Sequence, residues 1–126
     1  MTRYTLLRYI ETVTRFACGE RQLRVLALMG KRWTLPILVG LLQGPARFSE
    51  LARSVPGLSE RVMSERLQEL CEAGLVERLI EPGPPLATTY RLTPAGERLR
   101  PALQHLLDAA NALTESGTGS GATGDR

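Results

Sequence analysis

The sequence predicts a mainly α-helical domain carrying one small β-hairpin, and three observations lead there. Apolar residues recur at helical spacing through most of the chain. Two β-prone segments, Leu75 to Ile80 and Thr88 to Leu92, flank a turn with three prolines and a glycine. Upstream of them, Val55-Pro56-Gly57 separates a short helix from a longer one. At 126 residues, the chain suits one sizeable core with arms and is too short for a multidomain enzyme.

The first helix is expected over residues 3–17, where Leu6, Ile10, Val13 and Ala17 share a face before Gly19 breaks it. A second runs from Glu20 to Met29, with Leu23, Leu26 and Met29 on one side and Gly30 at its end. A third begins near Trp33, which reads as a core anchor. Leu35, Ile37, Leu38, Val39, Leu41 and Leu42 make that helix apolar on every side, hence central and buried. Pro36 is tolerated in its first turn, and Gly44-Pro45 stops it. Arg47-Phe48 reads as a short edge strand. Ser49 reads as the N-cap of a helix over 50–54, with Glu50 in the first turn.

Ser59 caps the next helix, which runs to Cys71 or Glu72 and stops at Gly74. Met63, Leu67 and Leu70 share its inner face. Arg61, Ser64, Glu65, Gln68 and Glu72 occupy the opposite one. After the hairpin, Thr93-Pro94 is an N-cap followed by a proline at the first helical position. The last helix carries Leu99, Leu103, Leu106, Ala110 and Leu113, a heptad-like stripe. Residues 116–126 are rich in Gly, Ser and Thr and are expected to be disordered.

A short helix, a tight Pro-Gly turn and a longer helix with a polar outer face form a helix-turn-helix. A hairpin directly after it makes a winged helix-turn-helix, with terminal helices left for dimerisation. The expected organisation is an N-terminal arm over 1–19, the winged helix-turn-helix over 20–93, a C-terminal dimerisation helix over 94–115 and a tail over 116–126. The stripe of Leu99, Leu103, Leu106, Ala110 and Leu113 reads as either intramolecular core or a dimer seam, and a terminal helix with little left to pack on favours the seam; Leu6, Ile10 and Val13 are the residues expected to pair on the N-terminal arm.

A helix fits the major groove of duplex DNA, where exposed polar side chains meet base edges. Arg61 suits guanine and Gln68 suits adenine. Ser59 and Ser64 suit phosphate or bases. Phosphate attraction is expected from Arg32, Arg47, Arg53, Arg78 and Arg91, each of which has a surface salt bridge as its alternative role. Charge distribution supports an acidic partner: residues 1–53 carry nine Lys/Arg against three Asp/Glu, and the remainder seven against ten. Against it, residues 58–74 hold two arginines and four glutamates. That acidity keeps a second reading open, a winged-helix protein–protein adaptor that does not bind DNA.

Two cysteines, Cys18 and Cys71, and the single His105 cannot assemble a cysteine framework or a metal-hydrolase site. No metal, cofactor or enzymatic activity is expected. Cys71 reads as a small buried hydrophobe. Cys18, beside Gly19 and near Arg15 and Arg21, reads as an accessible thiol and a candidate sensor. The longest apolar run is far too short for a membrane span, which makes a cytoplasmic protein the expectation.

Several motifs in series are similar to those of the HxlR-type winged-helix transcriptional regulators. They are Gly30-Lys31-Arg32-Trp33, Phe48-Ser49-Glu50-Leu51, Pro56-Gly57-Leu58-Ser59 and Leu67-x-x-Leu70-x-x-x-Gly74-Leu75-Val76. Pro84-Pro85 and Tyr90-x-Leu92-Thr93-x-x-Gly96 follow, so the resemblance covers about residues 20–110. It implies a MarR-like fold and a homodimer binding a pseudo-palindromic operator, modulated by a small-molecule effector or by thiol modification. The sequence departs from the family pattern in three places. Arg32 stands inside the Gly-Lys-Trp motif, and Cys18 lies two residues ahead of the usual cysteine position. The wing tip reads Leu86-Ala87 where Lys or Arg is frequent.

Overall fold

The structure, a computed structural model, describes residues 2–8 and 18–116. The chain divides into two compact units, Met1–Lys31 and Arg32–Arg126. In the first, residues 3–8 are helical (α1), and Glu20–Met29 forms α2. Gly19 is the N-cap of α2. Its end is closed by Gly30, whose N–H donates to the Leu26 carbonyl at 2.9 Å. The apolar face of α2 buries nothing, and Leu23 and Leu26 are each 55% exposed. Ile10 and Val13 of the expected N-terminal stripe lie outside the described residues, as does the tail beyond Ser116.

The second unit runs α3 (Thr34–Leu41), β1 (Ala46–Arg47), α4 (Phe48–Ser54), α5 (Glu60–Glu72), β2 (Val76–Glu81), β3 (Ala87–Leu92), α6 (Pro94–Glu97) and α7 (Arg100–Ser116). The sheet is antiparallel with order β1-β3-β2. This is the winged helix-turn-helix that the sequence predicts. As the all-round apolar pattern of α3 requires, Ile37 and Leu38 are fully buried, packed among α4, α5 and β3. Leu51, Met63, Leu67, Leu70, Val76 and Leu92 are among the other core residues. Burial of each such large side chain stabilises the fold by about 1.5–3 kcal/mol.

Two local expectations are corrected. Ser49 is not the N-cap of α4. Arg47 still belongs to β1, where it pairs with Thr89, and the helix starts directly at Phe48. Glu50 Oε1 reaches back to accept the Arg47 backbone N–H at 2.7 Å, satisfying a donor that the helix start would otherwise leave open. The C-terminal helix is also not continuous from Pro94. Gly96 lies so close to the Leu75 carbonyl that a Cβ there would collide with it. Past it the backbone tightens into i→i−3 bonds, from Arg98 N–H to Ala95 O at 3.2 Å and from Leu99 N–H to Gly96 O at 2.9 Å, before α7 begins.

Thr93 ties three segments at this point. Its Oγ1 accepts the Gly96 N–H at 3.0 Å and donates to the Gly74 carbonyl at 2.6 Å, while its own N–H donates to Leu75 O at 3.0 Å. The cap expected from Thr93-Pro94 therefore also closes the base of the hairpin.

Candidate nucleic-acid interface

The turn between α4 and α5 places the outer helix. Val55 leaves the helical region at φ −127° and ψ 85°, Gly57 takes a left-handed φ of 88°, and Ser59 Oγ accepts the Val62 N–H at 3.1 Å. Trp33 braces this turn. It is itself left-handed at φ 78°, a strained conformation for a bulky residue. A side chain at Gly57 would rest against the indole ring, and the Arg32 guanidinium lies 4.9 Å from the ring centroid. Trp33 is thus a half-buried brace, where sequence alone suggested a core anchor. Arg66 adds a second brace, with Nε donating to the Arg32 carbonyl at 3.0 Å and Nη1 to Glu69 at 3.2 Å.

With Met63, Leu67 and Leu70 buried, α5 turns Arg61, Ser64, Glu65, Gln68 and Glu72 to solvent, as the wheel predicts. Two bonds run along that face. Arg61 Nε donates to Glu65 Oε2 at 3.3 Å, and Gln68 Nε2 donates to Glu72 Oε2 at 3.3 Å. The Arg61 side chain is still 86% exposed.

Beside α5 the hairpin forms the other wall of an open groove of about 650 Å³, lined by Ser64, Gln68, Cys71, Glu72, Arg78 and Tyr90 among others. Register decides which arginines belong to it. Arg78 lies opposite Tyr90, so both point to the α5 side of the sheet. Arg47 and Arg91 occupy the other face, opposite Thr89 and Glu77. Arg91 Nε donates to Glu77 Oε2 at 2.6 Å, the salt bridge that was its alternative role. Arg53 is exposed on α4. The structure therefore brings Ser64, Gln68 and Arg78 to one groove, with Arg61 on the same solvent side of α5, and places Arg47 and Arg91 on the other face of the sheet.

Sequence reasoning missed Tyr90 and Arg66. Tyr90 is 9% exposed and lines the groove wall; only the hairpin register shows where it points. Cys71 is partly buried, and that burial pushes its thiol pKa up, with Arg78 opposing and Glu72 reinforcing the shift. Cys18 is exposed in the first unit, beside an apolar hollow formed with Val25 and Leu26. Leu99, in the turn before α7, is half-buried; on α7, Leu103 is buried in the unit's own core, whereas Leu106 (51%) and Leu113 (73%) are open, as is Ala110. Leu6 is 46% exposed on α1.

The model of the HxlR-like helix-turn-helix family matches residues 28–117. The chain belongs to this family. Among relatives, the HTH-type transcriptional regulator YodB of Bacillus subtilis is 36% identical over 91 residues, covering 72% of this chain and 81% of YodB. The uncharacterized HTH-type transcriptional regulator YtfH of Escherichia coli is 34% identical over 110 residues, 86% of each protein. The reduced form of B. subtilis YodB superposes with a TM-score of 0.68 at 33% identity, covering 80% of this chain and 99% of that one. A diamide-treated form of YodB is also solved, with a TM-score of 0.66 at 33% identity over 77% of this chain and 95% of that one. Like its relatives, this HxlR-family chain is a helix-turn-helix transcriptional regulator. No described helix is long and apolar enough to cross a membrane.

Proposed function

We propose that this HxlR-family chain binds duplex DNA sequence-specifically as a homodimer, in the cytoplasm at the nucleoid, and performs no enzymatic step. One observation carries the reading: α5 presents Arg61, Ser64 and Gln68 on its solvent face with Arg78 across a shared groove. Arg61 and Gln68 read bases, Ser64 and Arg78 hold phosphates, and Ser59 presents the N-terminus of α5 to the backbone. The exposed Leu106, Ala110 and Leu113, with Leu6, pack against a second copy. That pairing sets two α5 helices about 34 Å apart on a pseudo-palindrome. The test is duplex binding to fragments of the native genomic neighbourhood across a salt series, with random duplex as competitor. Tight, salt-sensitive binding to one palindromic fragment is expected, with Arg61→Ala losing about tenfold or more on that fragment. Undiminished selectivity in Arg61→Ala would remove α5 from the interface. Equal or absent binding to every fragment would leave the adaptor reading.

Modulation enters through the first unit. Cys18 is the exposed thiol, whereas burial suppresses the thiolate of Cys71. An effector or thiol modification at Cys18 shifts the dimer arrangement and with it the spacing of the two α5 helices. A maleimide reagent at neutral pH is expected to label Cys18 before Cys71 and to weaken operator binding, and Cys18→Ser to abolish both effects. Operator binding indifferent to Cys18 labelling would refute thiol control.

A further inference from the structure

An acidic face is a poor surface for DNA, yet α5 carries Glu60, Glu65, Glu69 and Glu72. Three of these four have defined bonds. Glu69 takes Arg66, the structural brace. Glu65 and Glu72 each accept from the side chain four residues earlier, and those two side chains are Arg61 and Gln68, the base-reading pair. Which atoms are used matters. Glu65 takes the Nε of Arg61, leaving both terminal amino groups of the guanidinium for the O6 and N7 acceptors of guanine. Glu72 takes one N–H of Gln68, leaving the other N–H and the amide oxygen, the donor–acceptor pair that adenine N7 and N6 require. A free glutamine amide can rotate to exchange donor and acceptor. Bonded to a carboxylate, its nitrogen is fixed on the Glu72 side.

We infer that Glu65 and Glu72 are positioning residues for base selection: each orients the reading side chain one turn before it, while its charge weakens attachment to arbitrary DNA. This inference rests on the DNA-binding reading above. The carboxylates repel phosphate wherever the correct base does not engage Arg61 or Gln68, which lowers affinity for random duplex more than affinity for the operator. An acidic recognition helix thereby becomes a source of discrimination.

The experiment is selection from a randomised duplex library, with parallel affinity measurements on random duplex. It compares the full-length wild type with Gln68→Ala, Glu72→Ala and Glu72→Gln, each checked for an unchanged unfolding midpoint. Gln68→Ala is expected to lose an adenine preference of about tenfold at one position per half-site. Glu72→Ala loses at least about a third of that preference on a logarithmic scale, while its random-duplex affinity rises about threefold or more. Glu72→Gln separates the two roles: it keeps an acceptor, so it retains the adenine preference, but it gains random-duplex affinity. An unchanged base profile in Glu72→Ala overturns the inference and leaves the DNA reading intact. A wild type that binds no duplex overturns the DNA reading and, with it, this one.

Discussion

α5 and α7 are amphipathic helices with leucine-rich stripes of similar appearance, and they end in opposite circumstances. On α5, Met63, Leu67 and Leu70 are each no more than 1% exposed. On α7 the first turn is anchored. Leu103 is 4% exposed, and Arg100 Nη1 donates to the Leu42 carbonyl at 2.8 Å, tying the helix to the end of α3. About one and three turns further on, Leu106 is 51% exposed, and Leu113 is 73% exposed. Periodicity therefore reports that a helix has an apolar face but not whose surface covers it. The stripe of α5 completes a core; the outer stripe of α7 has no cover among the described residues of the second unit.

The comparison breaks most visibly at Leu67. Leu67→Ala is expected to cost about 2–5 kcal/mol in chemical denaturation, the range for a fully enclosed leucine. A loss below about 1 kcal/mol would mean that the α5 stripe is not the centre of the core. At the other end, Leu113→Glu is expected to change the unfolding of the isolated subunit by no more than about 0.5 kcal/mol. The same variant should shift sedimentation from dimer to monomer. A variant that stays dimeric would place the seam elsewhere.

The smallest effect separates the anchored turn from the rest. Arg100 donates to both Glu97 oxygens, at 2.8 and 3.0 Å, and this hydrogen bonding holds the Glu97 carboxyl below its ordinary value of 4.5. A depressed folded-state value means that the pair contributes fully above pH 4.5 and fades as pH falls through the lowered value. Glu97→Gln should lower stability by a small, constant amount at neutral pH and lose the fall in the acid window, so that variant and wild type converge as pH drops through it.

Most elements were legible because their signals are local. Ser59, Gly74 and Thr93-Pro94 mark ends by their own chemistry, and the α5 wheel separates inner from outer residues without tertiary knowledge. What escaped depends on remote partners. The start of α4 moved to Phe48 because β1 pairs with β3 and holds Arg47 extended. The break before α7 follows from the Leu75 carbonyl pressing on Gly96, a contact across twenty-one positions of chain. At the site, Arg61 and Gln68 were identifiable from face and type. The separation of Arg78 from Arg91 needed the hairpin register, since neighbours on a strand alternate sides. The Glu65 and Glu72 bonds were available from i,i+4 spacing, but the acids read there as opposition to DNA.

The triple attachment of Thr93 has a mechanical meaning. Gly74, Leu75 and Gly96 meet on one residue, so the base of the wing and the start of the C-terminal helices are welded with no slack between them. A rotation of α6 would be passed directly to the hairpin base, while the turn at Arg98 and Leu99 sets α7 apart from that junction.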